Sequence, residues 1–265
     1  MTRPTDGLLD GLLADLDAES GALAAVVERA GDQGWTTPTP AAGWTVATQV
    51  AHLAWTDEVA TLAATDQQRW DAVVHQALAD PDGFVDAGAH AIAAEPRELV
   101  LARWREGRAA LAAALAARPA GERMPWFGPP MSATSMATAR LMETWAHSVD
   151  VHEALGLEPP VSDRLRHVAH LGVRTRGHAF VTHGRTVPDG EVRVELTGPG
   201  GTTWAFGPDD APERVTGSAL DFCLLVTQRV HRADTDLVAE GPGADAWLDV
   251  AQCFAGPPGE GRSPR

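Results

Sequence analysis

Arg140-Leu-Met-Glu143-Thr-Trp-Ala-His147-Ser-Val-Asp150 is the string of this sequence richest in chemistry. Glu143 and His147 stand four residues apart, with Asp150 seven after Glu143. On a helix the three share one face. A carboxylate and an imidazole one turn apart can grip one metal ion from a single rigid element, given a third ligand from elsewhere. His52, in the otherwise apolar stretch Val50-Ala-His-Leu-Ala-Trp55, is the candidate. Facing the pair inside a bundle, it would complete a His₂Glu site with an open position for water or substrate. That donor set suits Zn²⁺, and Ni²⁺ or Fe²⁺ are compatible on ligand type. Each part also has a plainer use. A lone histidine in an apolar helix serves as a hydrogen-bonded core residue, and a Glu/His pair at this spacing serves as a surface contact.

Such a site needs long helices, and the first half of the chain provides them. Residues 7–30 carry a helical apolar stripe that Gly31 and Gly34 break. Thr45 is a plausible N-cap for a helix to about residue 64. Residues 67–94 read as shorter helical pieces. Pro96–Ala117 reads as a long helix with proline in its first turn. The stretch Pro125–Pro130, with Trp126 and Phe127 among prolines and glycine, reads as a stiff loop. A last helix spans about Ser135–Leu155. A four-helix bundle is the simplest arrangement that hides these stripes.

The second half is mixed. Ser162 is expected to cap a helix through about Val181. Val192–Leu196 alternates like a strand, turns at Gly198–Gly201 and returns over Thr202–Phe206. A short strand near Arg214–Thr216 and helices over Ser218–Arg232 and Ala244–Phe254 follow. The expected class is mostly α, α+β, with a metal-binding bundle over residues 1–157 and a smaller α/β domain over 158–265.

Composition narrows the partners. The 265 residues carry 36 acidic and 21 basic side chains, a net charge of −15. That surface repels phosphate backbones and disfavours a polybasic membrane anchor, so neither nucleic acid nor membrane is expected as a partner. No apolar run reaches the roughly 20 residues of a membrane span, and the N-terminus lacks the form of a signal peptide. Two cysteines, Cys223 and Cys253, make no disulfide framework. A cytoplasmic protein is expected. The sequence leaves the oligomeric state open.

Gly43-Trp-Thr-Val-Ala-Thr-Gln-Val-Ala-His52-Leu resembles the helix start bearing the first metal histidine of the DinB-like, mycothiol-dependent maleylpyruvate isomerase family. Arg140…Glu143…His147…Asp150…Ala154-Leu-Gly156 resembles that family's second metal segment. The resemblance covers roughly the first 157 residues. It implies an up-down bundle followed by a smaller α/β domain, and it maps three metal ligands onto His52, Glu143 and His147. Three later strings resemble an uncharacterised actinobacterial branch described as metal-binding: Asp163–Gly172, Asp221–Arg229 and Ala251–Gly259. The last also resembles a short domain named for wyosine base formation, although the cysteine cluster of radical chemistry is absent.

The resemblance implies a metal-held thiol, mycothiol, that adds to a small electrophilic substrate in an isomerase or S-transferase. Such chemistry needs a cation for a substrate carboxylate, and arginine's fork fits one. Arg174, Arg176, Arg229 and Arg232 are candidates. Arg229, after an apolar helix face, is expected to point into an interdomain cleft. Asp150 serves either as the outer hydrogen-bond acceptor of a ligand histidine or as an ordinary helix salt bridge. Two other functions remain open: a hydrolase using metal-bound water, and a metal-binding protein without catalysis. His167 and His170, with Asp163 nearby, either form a second metal site or line a helix face.

Overall fold

The computed structural model describes residues 4–259 and 261–265, and the chain divides between Pro160 and Val161 into two compact units. The first unit is built on four long helices: α1 (Pro4–Trp35), α2 (Val46–Thr65), α5 (Arg97–Ala116) and α6 (Ala133–Ala154). Between α2 and α5 run the shorter α3 (Gln67–Ala79) and α4 (Phe84–Ala93). α2 packs most extensively on α5, and α1 on α6. Helix α1 continues past residue 30 with a kink at Gly31, whose φ of +63° only glycine adopts without strain.

Leu23, Val27, Val50, Leu53, Leu111 and Leu115 are wholly buried among these helices. Each contributes about 1.5–3 kcal/mol by leaving water. Thr45 caps α2 as its type predicts. It accepts from the Thr48 backbone N–H, while the Thr48 hydroxyl accepts from Thr45 N–H. The loop before it is pinned by Val46 N–H to Thr37 O at 3.0 Å and by a bridge between Pro38 and Thr45. A two-stranded ribbon, β1 (Arg123–Met124) with β2 (Met131–Ser132), closes the loop that carries Trp126 and Phe127.

The second unit opens with α7 (Leu165–Arg174) and α8 (Arg176–Thr182). The single helix expected from Ser162 thus starts at Leu165 and breaks at Thr175. The Thr175 hydroxyl lies 2.9, 3.1 and 3.1 Å from the carbonyls of Leu171, Gly172 and Gln252. A four-stranded sheet follows, in the order β4 (Thr203–Phe206), β3 (Val192–Thr197), β5 (Glu213–Ser218), β6 (Val238–Glu240). The β3–β4 hairpin is antiparallel, with Leu196 opposite Trp204, and β3–β5 is parallel. Helix α9 (Ala219–Val226) is capped by Ser218 and ends earlier than its apolar pattern implies. Gln228 takes a left-handed φ of +60°, and Arg229 N–H closes on Leu224 O at 2.7 Å. The last helix, α10 (Pro242–Leu248), completes the mostly α, α+β class expected from the sequence.

Candidate metal centre

The centre takes two residues from each of two rods. Gln49 and His52 are one turn apart on α2, just inside its Thr45 cap; Glu143 and His147 are one turn apart on α6. His52 Nε2 lies 3.3 Å from Glu143 Oε2, and His147 Nε2 lies 3.5 Å from the same oxygen. The imidazole centroids are 4.5 Å apart. One donor atom from each of the three residues falls within 4.8 Å of the others, a cluster that could hold one ion. His52 is buried, while Glu143 and His147 retain partial exposure, so the centre is reachable from one side.

Hydrogen-bond accounting assigns the proton on His147. The Thr39 hydroxyl donates to Trp44 O at 3.1 Å, so its oxygen accepts from Gln49 Nε2 at 2.9 Å. That fixes the Gln49 amide and directs Oε1 at His147 Nδ1. Nδ1 therefore carries a hydrogen, and Nε2, 3.5 Å from Glu143 Oε2, turns either a second N–H or a lone pair toward the carboxylate. A lone pair facing a carboxylate oxygen is repulsive unless a cation stands between them or the ring takes a second proton. Two imidazoles and one carboxylate converging in this way fit a divalent metal.

Trp44 covers both rings. It stacks on His147 at 5.9 Å and 12°, and its centroid is 5.2 Å from that of His52. Its indole N–H donates to Asp86 Oδ1 at 3.2 Å, tying the loop to α4.

Behind Glu143 runs a buried chain of charge. Arg140 Nη1 is 3.7 Å from Glu143 Oε2, and Arg140 Nε donates to Asp57 Oδ1 at 2.9 Å. Arg140 and Asp57 are both buried. Burial pushes the Glu143 carboxyl up, but hydrogen bonds from His147 and His52 and the Arg140 charge outweigh it and hold the group well below the usual carboxylate range. At Asp57 the balance reverses: burial raises the carboxyl despite Arg140.

Of the residues picked from sequence, the structure brings together His52, Glu143 and His147. Asp150 is buried on α6, two turns beyond Glu143, and the acceptor found at His147 Nδ1 is Gln49. Arg229 lies in the second unit, half-buried past the end of α9, with Nη1 donating to Thr227 O at 2.6 Å. His167, His170 and Asp163 form no such cluster among the described residues; the His170 ring sits 6.2 Å from Phe206. Cys223 is fully buried, and burial pushes its thiol well up. Sequence reasoning passed over Gln49 and Trp44. The available signal for Gln49 was a lone amide one turn before His52 on the same face of an apolar helix.

The sequence model of the mycothiol maleylpyruvate isomerase N-terminal domain matches residues 16–152, which span α2, α6 and the whole centre. A second model, named for wyosine base formation, matches residues 188–240. That likeness therefore lies on the sheet rather than on the string 251–259. Two uncharacterised proteins of Mycobacterium tuberculosis, from strains CDC 1551 / Oshkosh and ATCC 25618 / H37Rv, are each 53% identical over 250 residues, covering 94% of this chain and 97% of theirs. The fold is shared with crystal structures of the mycothiol-dependent maleylpyruvate isomerase and of a histidine-to-alanine mutant of it. Their TM-scores are 0.55 and 0.58 at 14% and 15% identity, over 89% of this chain and 95% of theirs. With half of its length under the family's own sequence model, the chain belongs to the mycothiol maleylpyruvate isomerase N-terminal domain family.

Proposed function

We propose that the protein is a metal-dependent enzyme in which His52, Glu143 and His147 hold a divalent ion, Zn²⁺ by donor preference, that activates a low-molecular-weight thiol toward a small electrophile. The observation that carries this reading is the convergence of one donor atom each from His52, Glu143 and His147 within 4.8 Å, with Gln49 Oε1 set against His147 Nδ1. Family membership makes mycothiol the thiol of choice. A bound Zn²⁺ supplies Lewis acidity and lowers the pKa of a thiol or water that reaches it.

The chain's own residues do the rest. Glu143 provides the one negative charge of the donor set, and Arg140 and Asp57 hold that carboxylate from behind. Gln49 fixes the His147 ring and its proton. Trp44 shields both imidazoles from water, which strengthens every charge interaction beneath it. Gln49, rather than Asp150, takes the outer-acceptor role at His147, and Arg229 completes the proposal as a guanidinium for a substrate carboxylate. Arg229→Ala is then expected to raise KM for carboxylate substrates while leaving metal content intact.

The deciding experiment is elemental analysis of tag-free protein beside His147→Ala. About one metal per chain, lost in the variant, is the expected result. A Co²⁺-substituted sample whose absorption shifts on adding thiol then supports the thiol reading. Ester or amide hydrolysis without thiol would favour metal-bound water instead. A site that stays empty after Zn²⁺ reconstitution overturns the enzyme reading.

A further inference from the structure

A row of aromatic rings in the first unit begins at the imidazoles and leads away from them. The Trp55 centroid is 6.2 Å from that of His52. Phe84 meets Trp55 edge-on at 5.0 Å, and Phe127 meets Phe84 edge-on at 5.8 Å. Beyond Phe127, Trp70 and Trp126 lie at 4.9 and 5.2 Å and stack on each other at 5.6 Å and 18°. Phe84 and Phe127 are the only phenylalanines before residue 161, and both stand in this row.

The row is backed rigidly. Trp70 is buried and forms its floor. Trp55 lies against Gly88, where an added Cβ would fall 2.5 Å from the indole Cε2, so only glycine leaves room for the ring. The β1–β2 ribbon closes the loop that carries Trp126 and Phe127. The outer rings stay accessible: Phe127 is 45% exposed, and Trp55, Phe84 and Trp126 are partly exposed. Held rings that stay partly exposed suit a flat apolar ligand, because each preset ring loses little freedom on binding. Four partly exposed rings make a patch of ligand size, well short of the roughly 800 Å² per partner of a stable protein interface.

We propose that this row is the wall on which a planar aromatic portion of the substrate lies, with its reactive end toward His52, Glu143 and His147. The second clause rests on the proposed function; the binding surface does not.

The test is calorimetric titration with 2-naphthol and its saturated analogue decahydro-2-naphthol, on wild type, Phe127→Ala, Trp55→Leu and His147→Ala. Naphthol is expected to bind about tenfold more tightly than the saturated analogue. Phe127→Ala, at an exposed position that leaves the core intact, and Trp55→Leu should each weaken naphthol about three- to tenfold. His147→Ala should bind naphthol as wild type does, even if the protein proves metal-free. Intermolecular NOEs from naphthol to the Trp55 indole and the His52 imidazole are expected. Absence of binding, equal affinity for both ligands, or affinity unchanged in both ring variants overturns the wall. Binding with NOEs to Phe127 but none to His52 overturns its orientation toward the centre. Loss of metal in every sample with naphthol binding retained removes the proposed function and leaves the wall.

Discussion

The amide oxygen of Gln49 accepts a hydrogen bond from Nδ1–H of His147, reaching from α2 to α6. This contact gives His147 one tautomer and one orientation. Outer partners of this kind set ligand basicity, and their loss typically costs about 10–100-fold in metal affinity. Gln49→Leu, which keeps the volume and removes the acceptor, is expected to lower Zn²⁺ affinity by that factor, measured by competition with a chromophoric chelator. Unchanged affinity would remove Gln49 from the centre.

Proton linkage gives a second check. Burial raises Glu143, but its hydrogen bonds and Arg140 hold it well below 4.5. Its contribution to stability is therefore complete above the unfolded carboxyl value and is lost as pH falls through the lower folded one. Near neutral pH Glu143 stays ionised and meets an arriving ion without giving up a proton. Glu143→Gln is expected to flatten the loss of stability of metal-free protein as pH falls below 4.5, read by urea titration on either side of that value; an unchanged pH profile would contradict the lowered carboxyl.

The Arg140–Asp57 pair is buried at both ends. Removing one partner strands a charge in low dielectric, whereas replacing both with apolar residues of similar size is often neutral. Asp57→Ala should lower the unfolding free energy by about 3–5 kcal/mol in urea titrations of metal-free protein. The double variant Asp57→Leu/Arg140→Met should recover most of that loss.

Cys223 offers a test of core integrity. Its thiol is fully buried, pushed well up by that burial, and 3.4 Å from Leu165 O. Cys253 is also buried. Native protein at pH 8 should resist a thiol-alkylating reagent over hours, and both residues should react in denaturant. Fast native labelling would mean that the second unit opens readily.

The sequence made the candidate metal triad legible because its members are polar residues at helical spacing beside apolar runs, in two strings that resemble the family's metal segments. The same patterning marked α2 through Thr45 and the β3–β4 hairpin through alternation. The centre's supports were not legible. Gln49, Trp44 and Asp57 become functional only when α2 meets α6, α4 and Arg140 in space. The break at Thr175 depends on its hydroxyl reaching local carbonyls and Gln252 O, 77 residues away. Strand β6 has three residues and pairs with β5 more than twenty positions earlier, too short and too distant for periodicity to register.

The centre draws its donors from two helices and none from a flexible loop. Its bite is then the gap between two cylinders, and that gap is set by hydrophobic side chains such as Val46, Val50 and Val151 in the shared core. Apolar residues that touch no ion thus act as the calipers of the site. If the centre holds an ion, trimming or enlarging one of them is expected to change which ionic radius fits, so that metal preference would follow the oil of this fold as well as its ligands.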